Sequence, residues 1–156
     1  MRCFTGSIFI VILSIFFLAC KKDNINDKVG VSTSIAGTWE LEQAQAGMFP
    51  TINYPPGNGD ILKYSNSDYQ VISNNQLIKS GVYTIVEDAS VESEVCMELP
   101  TDEYRNRIIY DNDYTYKVFI QVSNNKLIFL AGCFAFDAGS CKKYTRVLTS
   151  VTGNIH

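Results

Sequence analysis

Histidine is all but missing from this chain: its 156 residues contain one, His156, at the last position. Ser-His-Asp and Cys-His mechanisms need an imidazole held by the fold, and a terminal residue is not held that way. The same scarcity argues against a metal site. Cys96, Cys133 and Cys141 lack paired C-x-x-C spacing and have no internal histidine to complete a ligand set. Neither a cofactor nor an enzymatic activity is expected. Basic charge is also short, 13 Lys and Arg against 16 Asp and Glu, a net −3 at pH 7. That balance gives no electrostatic footing for nucleic acid or for attraction to anionic lipid. Long apolar runs are scarce too. The most extended, Ile8 to Ala19, is interrupted by Ser14 and falls short of the roughly 20 residues that span a bilayer.

What that run does have is the length and setting of an export signal. Arg2 precedes it, and Phe17-Leu18-Ala19-Cys20 follows. These four residues resemble the lipobox of bacterial lipoproteins, with Phe17 where leucine is usual. The resemblance implies a signal peptide over residues 1–19, cleavage before Cys20 and a lipid anchor on Cys20. It also implies a cell-envelope protein, placed at the outer membrane because Lys21 does not match the aspartate rule for inner-membrane retention. Which face it occupies stays open. Residues 20–34, ending KKDNINDKVGVSTS, are polar and poor in large apolar side chains. They read as a flexible tether with a reach of about 20 Å.

Residues 35–149 then form one domain, with a tail over 150–156. The periodicity is two, not 3.6, and no segment makes a convincing amphipathic helix. Short runs over 39–42, 61–65, 69–72, 76–86, 95–99, 107–110, 114–123, 126–131 and 142–148 read as strands. Asn74-Asn75, Asp111-Asn112-Asp113 and Asn124-Asn125 supply turns between them, and Gly81 is a candidate bulge. The expected fold is all-β, an antiparallel meander closing into a barrel of about eight strands.

The first strand opens Gly37-Thr38-Trp39, and the last carries Tyr144-Thr145-Arg146. This G-x-W followed by a distant arginine resembles the lipocalins and related calycins. The resemblance implies that Gly37 turns the chain under the barrel and Trp39 plugs its closed end. It also implies that Arg146 lies across the indole and that the segment Met48 to Asp60 covers the open end.

Cys133 and Cys141 flank the connection between the last two strands, so a disulfide between them would staple that hairpin, worth roughly 2–3 kcal/mol. Cys96 would then be a small buried hydrophobe on its strand. Glu92, Glu94, Glu98, Asp102 and Glu103 read as a solvated rim, and Asp111-Asn112-Asp113 as a turn, since a calcium loop would need glycine at Tyr116 and glutamate at Val122. The aromatic supply is more suggestive. Tyr54, Tyr69, Tyr83, Tyr114, Tyr116, Phe119 and Phe129 are candidates to line a ligand cavity, although the same side chains would also fill a small solid barrel. The expectation is a membrane-anchored, non-enzymatic module that binds a small, partly apolar ligand. The alternative is a filled barrel that contacts an envelope protein.

Overall fold

A computed structural model describes residues 34–100, 103–123 and 125–148. The export signal, Cys20, the tail and His156 lie outside the described residues. Among the described residues nine strands form one sheet: β1 (Gly37–Ala46), β2 (Ile52–Asn53), β3 (Ile61–Tyr64), β4 (Asp68–Ser73), β5 (Gln76–Glu87), β6 (Asn106–Tyr110), β7 (Val118–Ser123), β8 (Lys126–Ala131) and β9 (Ser140–Arg146). Apart from the two-residue β2, they run as an antiparallel meander, and β1 also pairs with β9. The result is a closed eight-stranded barrel, compatible with the expected lipocalin-like architecture, and closure leaves no long free edge.

Alternation sorts the side chains. Trp39, Leu41, Leu62, Tyr64, Tyr69, Ile108, Ile120, Leu127, Phe129 and Tyr144 form the interior cluster. The chain enters at one end of the barrel, where Trp39 is fully buried and its indole N–H donates to the Ile35 carbonyl at 2.7 Å. Gly37 has φ +142°, and a Cβ there would run into the Arg146 guanidinium. Glycine at this position therefore serves both the backbone angle and the close approach. Asn74 and Asn75, with φ 50° and 62°, make the two-residue turn from β4 to β5.

The long connection from β5 to β6 departs from expectation. Residues 95–99 are not a strand. The segment holds a short helix, α1 (Val91–Val95), and Cys96 caps it in the left-handed conformation. Val91, Val95 and Tyr104 pack there with Phe119 and Leu130 in a second cluster. The pattern misled because Val91 and Val95 face one way only through a single helical turn. Asp88 pins the strap to the barrel, pairing with Arg107 at 3.2 Å and Lys117 at 3.5 Å.

The expected disulfide is also corrected. Cys133 is joined to Cys96, with Cα atoms 5.0 Å apart, and Cys141 is free. Cys141 sits on β9 among the outer-face residues that pack against the strap cluster, so the bond ties the strap to the β8–β9 connection rather than closing the hairpin on itself. The sheet irregularity predicted at Gly81 lies instead between Val71 and Ile72, opposite Lys79 and Leu77.

Candidate functional site

Strand direction puts four connections at the end of the barrel opposite Trp39: residues 47–60, 74–75, 111–117 and 132–139. Large side chains fill the Trp39 end, where the Tyr64 and Tyr83 rings meet edge to face at 5.1 Å. The other end is not filled. A cavity of about 360 Å³ opens there, lined by Leu62, Val71, Val118 and Phe129, by Tyr69, Tyr110, Tyr116 and Tyr144, and by Lys79 and Lys142. A second lobe of about 310 Å³ adjoins it, sharing Leu62, Val71, Lys142 and Tyr144 and adding Tyr54 and Asp60. These sizes lie at the lower end of the range for ligand pockets, about 300–1,000 Å³.

The expected lining residues separate into three groups. Tyr69, Tyr116 and Phe129 line the main cavity and Tyr54 the adjoining lobe. Tyr83 is interior but belongs to the filled end, with its hydroxyl on the Ser65 carbonyl at 2.7 Å. Tyr114 and Phe119 do not line the cavity. Tyr114 is exposed beside Arg107, whose guanidinium carbon is 6.0 Å from its ring centroid. Phe119 is fully buried, but on the outer face beneath the strap. It broke the alternation of its strand because a second apolar layer covers that face. The strand itself starts only at Val118, so Tyr114 and Tyr116 belong to the connection before it.

Tyr110, Tyr144, Lys79 and Lys142 are cavity residues that the sequence reading passed over. Alternation carried across paired strands finds them: Phe129 pairs with Lys142, two residues before Tyr144, Tyr83 with Tyr110, and Val71 with Lys79. The tyrosines are cross-braced. Tyr64 and Tyr110 share a hydroxyl–hydroxyl bond of 2.5 Å, and Tyr69 and Tyr110 stack edge to face at 4.6 Å. Burial pushes the Tyr110 phenol up to about 12 and raises Tyr144 as well, so both remain neutral donors near pH 7.

Asp111 organises the rim. It has φ 53° in the turn after β6, accepts the Tyr69 hydroxyl at 2.8 Å and the Val82 amide at 3.1 Å, and pairs with Lys79 at 3.0 Å. The Tyr69 hydroxyl and then Asp111 raise the Lys79 pKa, which keeps its ammonium charged, while Lys79 holds the Asp111 carboxyl below its usual range. Gly81 makes this possible: a Cβ there would collide with the Asp111 carboxylate.

The Met48 to Asp60 segment is anchored rather than free. Its β2 pairs with β1, Asn58 donates to the Leu41 carbonyl at 2.8 Å, and the Gly57 amide donates to Glu40 at 2.8 Å. It fills the seam where β1 parts from β3. Among the described residues no group of histidine, cysteine, aspartate and glutamate could hold a metal ion, and no helix is long and apolar enough to cross a membrane. Comparison with family models, with curated proteins and with solved structures found nothing that matches the chain.

Proposed function

We propose that this chain is a cell-envelope lipoprotein, anchored through Cys20, whose lipocalin-like barrel takes up a small, partly apolar ligand. The observation that carries the ligand reading is the cavity at the unplugged end, apolar in its walls with a few placed hydroxyl and ammonium groups. That composition is what ligand pockets favour. The anchor rests on Phe17-Leu18-Ala19-Cys20. The test is saturable binding of the uncharged fluorophore N-phenylnaphthylamine to the full-length chain carrying Cys20→Ser. One site per chain is expected, and Ala131→Trp, which fills the cavity wall, should abolish it while urea unfolding stays cooperative. Absence of saturable binding, or binding unchanged in Ala131→Trp, defeats the reading. For the anchor, the native chain should fractionate with membranes and Cys20→Ser should not.

A second reading, contact with an envelope protein, is favoured by one observation. Met48, Phe49 and Phe136 on the rim loops are 81%, 75% and 81% exposed. Phe49→Ser with Phe136→Ser should then release a co-purifying protein without affecting the fluorophore.

A further inference from the structure

The two lysines of the cavity stand on opposite walls. In a closed eight-stranded barrel, strands four places apart face each other across the axis, and β5 and β9 are four places apart in the sheet order. Lys79 lies on β5 and Lys142 on β9, and both line the same space. Lys142 shares its inward face with Tyr144 and sits opposite Phe129 across the β8–β9 ladder.

No carboxylate lines that main cavity. Lys79 pairs with Asp111 at 3.0 Å, and its side chain, 57% exposed, stands at the mouth of the cavity it lines. Lys142 makes no ion pair among the described residues. Asp60, which lines the adjoining lobe together with Lys142, accepts the Ser73 hydroxyl at 2.6 Å.

Lysines that serve only solubility belong on an outer face. At the mouth of the cavity, an uncharged occupant would displace water from two ammonium groups and offer them at most neutral acceptors. A cationic occupant would add repulsion. An anionic head group answers both lysines with charge-assisted hydrogen bonds, and the neutral tyrosines supply further donors. Beside them the walls are Leu62, Val118 and Phe129, which suit a hydrocarbon chain. About 360 Å³ accommodates one chain, not a two-chain lipid.

We infer that the ligand is a single-chain amphiphile with an anionic head, carboxylate or phosphate, held between Lys79 and Lys142 with its chain among Leu62, Val118 and Phe129. This inference rests on the ligand-binding reading above.

Four probes with one chain length test it by displacement of N-phenylnaphthylamine from the full-length Cys20→Ser chain: dodecanoate, dodecyl phosphate, dodecanol and dodecyltrimethylammonium. One or both anions should bind about tenfold or more tightly than the alcohol, the gain of a charge-assisted bond, and the cation weakest. Whichever anion leads identifies the head group. Lys142→Met should remove the preference for the anion and leave dodecanol within about twofold, while Lys142→Arg should restore it. Trp39 emission and the urea midpoint report folding in both variants. Equal binding of all four probes, a preference for the cation, or an anion preference untouched in Lys142→Met overturns the head-group assignment and leaves ligand binding standing. Failure of the fluorophore itself to bind overturns both.

Discussion

Arg146 lies across the face of Trp39, its guanidinium carbon 4.1 Å from the indole centroid. The same guanidinium donates to the Ala36 and Ser34 carbonyls at 2.7 Å each. One side chain from the last strand thus closes the end of the barrel and fastens the segment that leads into the first. Arg146→Met removes the cation over the ring and both bonds, and leaves two carbonyls to water. A loss of about 2–4 kcal/mol is expected, read as a lower urea midpoint followed by Trp39 fluorescence. Arg146→Lys should recover less than half, since an ammonium cannot cover the ring and reach two carbonyls in one plane.

The Cys96–Cys133 bond spans a sequence separation of 37. Loop-closure entropy for that span is about 4 kcal/mol as an upper value. Cys96→Ser should therefore lower stability by about 2–4 kcal/mol and loosen the strap, seen as faster amide exchange over 88–100. Peptide mapping without reductant should recover Cys96 linked to Cys133, with Cys141 alkylated slowly because burial raises its thiol pKa.

Asp88 predicts the acid limb of stability. The Ser90 hydroxyl and amide donate to its carboxylate at 2.6 and 2.9 Å, and those bonds, with Lys117 and Arg107, hold its pKa below the usual value. A carboxyl depressed in the folded state stabilises above its unfolded pKa, about 3.9, and that contribution is lost as pH falls through the folded value. The urea midpoint should be flat from about pH 7 to 5 and fall below about pH 4. Asp88→Asn should lower it at pH 7 and make the acid fall shallower; an unchanged acid limb would count against this role.

Gly81→Ala should disturb the rim rather than the sheet. The added Cβ meets the Asp111 carboxylate and approaches the Tyr69 ring at 3.0 Å. An overpacking cost of about 1–3 kcal/mol is expected, together with a changed affinity for N-phenylnaphthylamine. Asp111→Ala combined with Gly81→Ala should relieve the overpacking but still lose the Asp111 bonds to Tyr69, Val82 and Lys79.

The barrel was legible because its signals are local and repeat. Trp39 and Leu41 alternate with Glu40 and Glu42, Asn74-Asn75 can take positive φ, and Asp111-Asn112-Asp113 turns the chain after β6. Gly37 and Trp39 meet Arg146, distant from them in the chain, at the plugged end. The strap was not legible. Its single helical turn carries too short a pattern, and the apolar residues it buries, Phe119 and Leu130, stand at positions alternation assigns to solvent. The disulfide was misread for the same reason, since without the strap nothing brings Cys96 near Cys133. The cavity was half legible: tyrosines signalled a mouth, but only strand register brings Lys79 and Lys142 to the same opening.

The bond from Arg146 to Ser34 also decides how the domain carries mechanical load. A pull transmitted through the chain ahead of Ser34 enters at the plugged end and runs along β1. That strand is clamped by β3 on one side and β9 on the other. If the opposite rim is held, the tension loads those ladders in shear, many bonds at once, rather than peeling them one by one. The open mouth meanwhile lies at the far end from the point of pull, so a load applied at Ser34 would not pinch its entrance shut.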